Sequence, residues 1–245
     1  ILPGTDEAFI EKIGPLADRL SINLEAPTQK YLSRLSPDKQ LQPQLLEQLK
    51  KIAIYHSIHP LRAGVTTQLV VGASGESDRE ILSLSQDLYR TYGLSRVYYS
   101  GFIPVRDTPL EQLPPCLPLR ELRLYQADFL LRRYGFHTEE LFFEEEKNLP
   151  LDKDPKLAWA LNHPDRFPVE LNTASFEELI RVPGIGRISA KRIIETRRVT
   201  RFKDLDQLRR VGAVTGRAQG FITLSGTFYP PTRSPSERSR RGSGS

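Results

Sequence analysis

The sequence has a single cysteine, Cys116, no methionine and one tryptophan. One cysteine cannot form a disulfide within the chain, and it cannot supply the several thiolates that a metal cluster needs. No apolar run approaches the length of a membrane-spanning helix, and no signal peptide is recognisable. These absences favour a reducing compartment, with the cytoplasm as the expected location and no membrane partner.

Metal-ligating patterns are also scarce. The chain has four histidines, and His56 and His59 lie three residues apart without a nearby cysteine or carboxylate pair to complete a site. The acidic run at 144–146 is interpreted as an exposed face or a linker, although two-metal hydrolysis would require carboxylates of this kind. We therefore predict no metal site in this chain.

Positive charge is concentrated in the C-terminal third. Residues 168–229 hold eleven Lys and Arg against six Asp and Glu, whereas residues 1–167 hold twenty against twenty-three. The last sixteen residues, 230–245, add four Arg against one Glu and have no apolar periodicity, so we predict a disordered basic tail. This asymmetry is expected when one module contacts a polyanion and the rest has another task.

A helical hairpin is predicted within residues 171–198. Ser175 and Glu178 have the spacing of a capping box, which predicts that a short helix starts there. Pro183 ends this helix, and Gly184 and Gly186 give the backbone freedom that a tight turn needs. A second, basic helix then begins at about 187–189, with small and apolar residues on its buried face.

The start of this second helix is a candidate phosphate site, because free backbone N–H groups and the helix dipole favour an anion. Arg197 and Arg198, further along, are expected to face solvent or a polyanion. The pattern resembles the helix-hairpin-helix motif, and the resemblance implies sequence-independent binding to the sugar-phosphate backbone of DNA. The alternative is a packing or protein-protein module. The candidate DNA-binding residues here are Gly184, Ile185, Gly186, Arg187, Ser189, Lys191 and Arg192.

A weaker copy of the hairpin follows at 208–217, where Leu-Arg-Arg-Val-Gly-Ala-Val-Thr-Gly-Arg echoes the first turn. A hairpin of this size buries little surface alone, so a pseudo-repeat with a shared core is physically sensible. Gly216 and Arg217 are then a second candidate DNA contact. An ordinary capping helix is the alternative for this segment.

The region before the hairpin predicts an α/β architecture with parallel strands. Strand-like runs at 18–24, 66–72 and 96–103 each lead into a polar loop and a helical stretch. The first helix is expected to open at Pro37 and run through Leu49 and Ile52. The third is expected at 120–134, with an inward face formed by Leu122, Tyr125, Phe129 and Leu130.

Polar residues and glycines stand at the ends of two of these strands. Asn23 and Glu25 share one side of the first strand, and Gly72, Gly75 and Glu76 form a turn after the second. Because ligands bind at the carboxyl ends of barrel strands, these residues are candidates to line a substrate or cofactor pocket. A self-satisfied hydrogen-bond network and ordinary turn chemistry are the alternatives.

A second resemblance extends over nearly the whole chain before the tail. DRLSINLEAPT, TTQLVVGASGESDREIL, VYYSGFIPV and LRELRLYQADFLLRRYGF, followed by DPKLAWALNHPDRFPVELNTAS and VPGIG, resemble the C-terminal part of radical SAM proteins assigned to DNA modification or repair. The resemblance implies the C-terminal units of a radical-SAM-type β/α barrel, S-adenosylmethionine and a [4Fe-4S] cluster as cofactors, and DNA as the partner. It implies cofactor contacts at Asn23, Glu25, Gly72, Gly75 and Glu76.

The sequence departs from that family in one respect, because the CxxxCxxC loop that ligates the cluster is absent. With three strand-helix units and no initiating methionine, we expect that residues before Ile1 are missing; a degenerate relative without chemistry is the alternative. The predicted domains are a partial barrel at 1–150, a bridge at 151–169, a small all-α helix-hairpin-helix domain at 170–229 and the tail at 230–245. A noncatalytic DNA-binding or scaffold protein remains the second hypothesis.

Overall fold

The computed structural model describes residues 1–231, which fall into two compact units that meet in the sequence between Pro155 and Lys156. The tail predicted at 230–245 lies outside the described residues from position 232 onward. Within the described part of the chain, no helix is long and apolar enough to cross a membrane.

The first unit is a mixed α/β structure. Its three strands form a parallel sheet in the order β1-β2-β3, and each strand is followed by helix, as the sequence predicted. The sheet is aligned so that Ser21 lies opposite Thr66, and Thr66 lies opposite Arg96. The elements are α1 (Glu7–Ile13), β1 (Arg19–Ser21), α2 (Gln29–Leu35), α3 (Leu46–Ile58), β2 (Gly64–Val71), α4 (Asp78–Tyr92), β3 (Arg96–Gly101) and α5 (Pro118–Tyr134).

Local signals explain where α4 begins and ends. Ser77 and Glu80 form a reciprocal capping box at its start, and Gly93 adopts a left-handed conformation, with φ of 62°, at its end. Between these limits, Ile81 and Leu88 of α4 are buried, and so are Leu69 and Val71 of the central strand β2. A central parallel strand is covered on both faces, which is why residues on both sides of β2, Thr66 and Thr67 included, are buried.

Two predictions about helices of this unit were wrong. Pro37 does not open a helix. Ser36, the residue before it, is extended, as proline favours for the preceding residue, and Ser36 is the C-cap of α2. In α5, Leu130 is buried as predicted, but Leu122 and Phe129 are 48% and 47% exposed, whereas Leu124 and Asp128 are fully buried. The buried face of α5 was predicted from apolar residues alone, and it therefore left out Asp128, which is charged but buried.

Asp128 is buried because its carboxylate has several partners. The Tyr89 hydroxyl donates to Oδ1, the Tyr99 hydroxyl lies 3.2 Å from the same oxygen, and Arg132 Nε donates to Oδ2 at 2.8 Å. Burial, together with the neighbouring Asp128 carboxylate, raises the pKa of Tyr89 and of Tyr99 well above the usual tyrosine range. The network joins α4, β3 and α5 within the core of the unit.

The outer edge of β3 is covered by side chains rather than by another strand. The N–H of Val97 donates to the Tyr89 hydroxyl at 3.0 Å, and the N–H of Tyr99 donates to the Tyr125 hydroxyl at 3.0 Å. The N–H of Gly101 donates to a carboxylate oxygen of α5, Glu121 Oε2, at 2.8 Å. Alternate residues of a strand point their N–H groups to the same side, so these three donors form one satisfied edge.

The second unit is not all-α, which corrects the prediction for this domain. A three-stranded sheet pairs β4 (Val169–Glu170) in parallel with β5 (Ile222–Leu224), which pairs antiparallel with β6 (Thr227–Phe228). Strands of two or three residues are too short to show a period of two in the sequence. The helices of this unit are α6 (Pro155–Leu161), α7 (Phe176–Arg181), α8 (Arg187–Arg197), α9 (Leu205–Arg210) and α10 (Thr215–Ala218).

The segment interpreted as a bridge, 151–169, carries α6 and the first residue of β4, and all of it from Lys156 onward lies in the second unit. Trp159 on α6 is 1% exposed. Its ring stacks on His163, with centroids 4.5 Å apart, and meets Phe167 edge-on at 6.0 Å. This tryptophan therefore belongs to the core of the second unit.

Candidate nucleic-acid interface

The first helix of the hairpin starts as predicted. The Ser175 Oγ accepts a hydrogen bond from the Glu178 N–H at 3.1 Å, and Glu178 Oε2 accepts one from the Ser175 N–H at 2.7 Å. These bonds hold the pKa of Glu178 below its usual range. Leu179 and Ile180 face the core, so this short helix is anchored at its start and along one side.

The turn between α7 and α8 is built from Val182 to Gly186. Gly184 has φ of 81°, a left-handed conformation that favours glycine, and Ile185 is 1% exposed and anchors the turn in the core. The Ile185 N–H donates to the Val182 carbonyl at 3.1 Å. Gly186 is extended and forms the N-cap of α8, so the chain reverses within these five residues.

In the part of the chain that the structure describes, the N-terminus of α8 has backbone donors without acceptors. The first bond of this helix is made by the Ala190 N–H to the Gly186 carbonyl, at 2.8 Å. Among residues 1–231, the N–H groups of Gly186, Ile188 and Ser189 have no acceptor. The positive end of the helix dipole lies at the same place, so an oxyanion is favoured there.

Exposed basic side chains flank these donors. Arg187, Lys191 and Arg192 on α8 are all exposed. The Arg187 guanidinium lies 5.4 Å from the ring centroid of Phe176, which holds this side chain close to the start of α7. Free N–H groups with nearby cations are the combination that binds the phosphates of a nucleic-acid backbone.

A second hairpin follows, as predicted, and it packs on the first. It consists of α9, a turn at 211–214 and α10. The Val214 N–H donates to the Gly184 carbonyl at 2.9 Å, and the Ser189 Oγ donates to the Gly212 carbonyl at 2.8 Å. The two turns therefore form one bonded pair, with a shared core that includes Leu179, Ile193, Leu208 and Ala218.

In the sequence echo, Gly216 and Arg217 correspond to Gly186 and Arg187 of the first turn, but the structure does not place Gly216 in the second turn. Gly212, with φ of 87°, is the left-handed residue of that turn and corresponds to Gly184. Gly216 instead lies inside α10, at its second position, with an unstrained backbone. Gly216 and Arg217 are both exposed, and their contact with DNA stays a prediction.

Three residues of the first hairpin, Ile185, Ser189 and Arg197, have structural roles that the sequence did not indicate. Ile185 is buried, and both its N–H and its carbonyl are hydrogen-bonded, so it offers nothing to a ligand in this conformation. The hydroxyl of Ser189 is used by the second turn, which leaves its N–H for an anion. Arg197 Nη1 donates to the carbonyls of Leu171 and Ala174, at 2.8 and 2.7 Å, so this arginine does not face solvent as expected.

Sequence reasoning also missed Lys156 and Glu170. Lys156, in α6, is 9% exposed, and its Nζ donates to the Ile185 carbonyl at 2.6 Å. The Glu170 carboxylate accepts bonds from the N–H groups of Asn172, Ser225 and Gly226, at 3.0, 3.1 and 2.9 Å. Apart from the local pair of Glu170 and Asn172, these contacts have no local sequence signal, because Ile185 is 29 residues from Lys156 and Gly226 is 56 residues from Glu170.

In the first unit, Asn23 and Glu25 line one surface cleft of about 250 Å³. Asn23 is exposed, and Glu25 forms an ion pair with Lys39 at 3.1 Å. Glu25 also has a left-handed backbone, with φ of 64°, while its N–H and carbonyl bond to Gln68 and Val70 of β2. The role of this cleft as a substrate or cofactor pocket stays a prediction.

The loop at 72–76 is held by its own glutamate. The Glu76 carboxylate accepts hydrogen bonds from the Gly72 N–H and the Ser74 N–H, and its side chain is fully buried beside Arg120. Glu76 therefore shapes the loop and is not available for direct contact with a cofactor. Gly72 and Gly75 both have left-handed backbones, with φ of 90° and 84°, so the loop needs glycine at these positions.

The residues present do not fit an iron-sulfur cluster. Within residues 1–231, no group of three or more His, Cys, Asp or Glu side chains is placed to hold a metal ion. Cys116 is the lone cysteine, it is half-buried, and burial raises the pKa of its thiol. A protonated thiol without companions is a poor metal ligand.

Comparison with known proteins supports the hairpin assignment. A family model described as a helix-hairpin-helix motif matches residues 166–218. No curated protein and no solved structure matches the chain. The matched residues include both hairpins, α7 to α10, together with β4. The second unit thus contains a helix-hairpin-helix domain, a module that commonly binds DNA.

Proposed function

We propose that the second unit binds the sugar-phosphate backbone of DNA without reading base sequence. The observation that carries this proposal is the start of α8, where the N–H groups of Gly186, Ile188 and Ser189 lack acceptors within residues 1–231. Exposed Arg187, Lys191 and Arg192 follow on the same helix. Contacts of this kind fix a protein on the duplex and carry no base information.

Charge supports the same conclusion. Residues 168–229 carry eleven Lys and Arg against six Asp and Glu, and two of the acidic residues, Glu170 and Glu178, are engaged with backbone N–H groups of the fold. A domain with this excess of basic residues attracts a polyanion at low salt, and its affinity falls as the salt concentration rises.

The test is a salt titration of duplex binding, measured by fluorescence anisotropy with several unrelated sequences. For the unaltered chain we expect affinity to fall linearly with salt on a double-logarithmic plot and to vary little with sequence. The triple variant R187Q/K191Q/R192Q should weaken binding to every duplex and lower the salt slope by about 0.9 for each phosphate that is no longer neutralised.

The charge-matched control is K12Q/K50Q/R106Q, which removes three exposed cations from the first unit. If the control weakens binding as much as the α8 variant, general electrostatic attraction rather than the hairpin is responsible. If the unaltered chain shows no salt-sensitive binding, the hairpin pair is a packing or protein-protein module, as in the scaffold hypothesis.

We further propose that the chain is the C-terminal portion of a radical SAM enzyme that modifies or repairs DNA. Three parallel strands, each followed by helix, support this proposal, together with the sequence resemblance. S-adenosylmethionine would be contacted from the cleft of Asn23 and Glu25 and from the loop of Gly72 and Gly75, with Glu76 holding that loop. A cluster would supply the reductive cleavage of this cofactor, and its ligands are not among the residues of this chain.

The sequence of the complete gene tests the enzyme proposal directly. A CxxxCxxC motif encoded upstream of Ile1 would support it, whereas a complete reading frame without that motif would leave the noncatalytic DNA-binding protein. The chain itself should remain colourless after anaerobic reconstitution with iron and sulfide. A stable brown species would mean that other ligands hold a cluster.

A further inference from the structure

A buried lysine, Lys156, contacts the turn that contains Gly186, the candidate donor of an N–H group to DNA. Lys156 is the second residue of α6 and is 9% exposed. Its Nζ donates to the Ile185 carbonyl oxygen at 2.6 Å, across 29 residues of sequence. Burying an amine that is ordinarily charged is costly unless it is hydrogen-bonded, so this contact requires an explanation.

The acceptor of this bond belongs to the same peptide group as the candidate DNA donor. The carbonyl of Ile185 and the N–H of Gly186 lie in one peptide plane, and this bond is trans, because the cis bonds in residues 1–231 precede Pro43 and Pro168. In a trans peptide the carbonyl and the N–H point in opposite directions. A group bound to the oxygen therefore fixes the direction of the Gly186 N–H.

The contact also affects how strongly the N–H donates. A hydrogen bond to a carbonyl oxygen withdraws electron density from the amide, so the N–H of the same peptide group becomes a stronger donor. The effect is larger when the group that donates to the carbonyl is charged. The Gly186 N–H has no acceptor among the described residues, so its polarisation is available to an external oxygen.

We infer that Lys156 is a positioning residue for phosphate binding: it fixes and polarises the Ile185–Gly186 peptide group so that the Gly186 N–H donates to a backbone phosphate of DNA. This inference rests on the proposed function of the second unit. Lys156 itself does not touch the phosphate, because its Nζ lies on the opposite side of the peptide group. The competing explanation is that Lys156 only ties α6 to the turn.

The test compares K156M and K156Q with the unaltered chain. Methionine keeps the apolar stem and removes the donor, while glutamine keeps a neutral donor on a shorter side chain. We expect K156M to weaken binding to random-sequence duplex DNA by about tenfold, equally for every sequence, and K156Q to lie between the two. The Gly186 amide proton should shift upfield in the free K156M protein in ¹⁵N-¹H spectra, with the Gly212 amide as an internal reference.

N172A provides the stability control. Asn172 bonds to Glu170 and to both backbone groups of Phe202, so this variant weakens the second unit without changing charge or the hairpin turn. N172A should lower thermal stability yet leave both the Gly186 amide shift and DNA affinity unchanged at temperatures where the unit is folded.

Two results would overturn the assignment. If the unaltered chain binds DNA and folded K156M binds it equally, with the Gly186 amide unmoved, Lys156 is only a tether. If K156M and N172A weaken binding in proportion to their loss of stability, the effect is also structural. If the unaltered chain itself shows no salt-sensitive binding, the proposed function and the role of Lys156 are both contradicted. This outcome differs from the two above, in which the unaltered chain binds DNA.

Discussion

The carbonyl of Gly184 accepts a hydrogen bond from the N–H of Val214, at 2.9 Å. This bond joins the turn of the first helical hairpin to the turn of the second. This contact places strict limits on Gly184. A Cβ at this position would collide with the Val214 carbonyl oxygen and come within 3.0 Å of the Arg217 Cβ. Gly184 is therefore required by the pairing of the hairpins as well as by its left-handed backbone.

G184A should destabilise the second unit by about 2 kcal/mol or more, because it combines backbone strain with a collision against backbone atoms. The matched variant is G216A, at an exposed helical position with nothing within 4 Å of the added Cβ. We expect G216A to be neutral or to stabilise by about 0.5 kcal/mol. Trp159, the lone tryptophan, lies in this unit, so urea unfolding followed by its fluorescence measures the difference. Equal stability of the two variants would contradict the paired-hairpin contact.

Arg197 and Arg198 are adjacent arginines with different roles. R197A removes two bonds to the carbonyls of Leu171 and Ala174 and should destabilise the second unit by about 2 kcal/mol. R198A, at an exposed position, should leave stability within about 0.5 kcal/mol. Thermal unfolding of both variants, monitored by tryptophan fluorescence, separates them. If both are equally stable, Arg197 is a surface residue in solution.

Stability of the second unit should depend on pH through Glu170. Burial opposes ionisation of this carboxylate, but the N–H groups of Gly226, Asn172 and Ser225 outweigh it and hold the pKa of Glu170 below its usual value. A lowered folded pKa means that the stabilisation is complete above the unfolded pKa of about 4.3 and is lost as pH falls through the folded value.

E170Q should therefore be less stable than the unaltered chain at neutral pH and should lose less stability on acidification. Thermal unfolding measured between about pH 6 and about pH 3 covers this range. The pKa of Glu178 is also lowered, so E170Q should retain a smaller acid sensitivity. Parallel pH profiles for the two proteins would show that the Glu170 bonds do not form in solution.

D128N should destabilise the first unit by about 3 kcal/mol, because it leaves the Arg132 guanidinium without its charged partner in a buried network. The milder variant Y99F removes one hydroxyl from the same network and should cost about 1 kcal/mol. Far-ultraviolet circular dichroism reports on the helices of both units, whereas Trp159 fluorescence reports on the second unit. Loss of helical signal at a lower temperature than the change in fluorescence assigns the effect to the first unit. A small effect of D128N would mean that Asp128 is solvated.

The first hairpin could be predicted because its determinants are local. The capping pair Ser175 and Glu178, the helix end at Pro183 and the left-handed Gly184 all lie within ten residues, and each has a fixed geometric requirement. The parallel strands could be predicted for a similar reason, since each short run of strand-forming residues is followed by a polar loop and a helical stretch.

The remaining features depend on distant contacts. In the second hairpin, the Gly-Arg pair at 216–217 matches the Gly-Arg pair at 186–187 in sequence, which is why Gly216 was selected. In the structure Gly212 takes the left-handed position that Gly184 has in the first turn. The buried face of α5 includes Asp128, whose partners Tyr89 and Tyr99 are 39 and 29 residues away. Such burial is decided by three-dimensional pairing, which a periodic pattern of apolar residues does not record.

The covered edge of β3 prevents the sheet of the first unit from gaining another strand on that side. Another strand could add beside β3 only by displacing the bonds that Val97, Tyr99 and Gly101 make to side chains of α4 and α5. An edge with its donors already satisfied resists edge-to-edge aggregation between molecules. Removing two of these acceptors, for example with Y125F and E121L together, would leave the N–H groups of Tyr99 and Gly101 free to pair with a strand of another molecule.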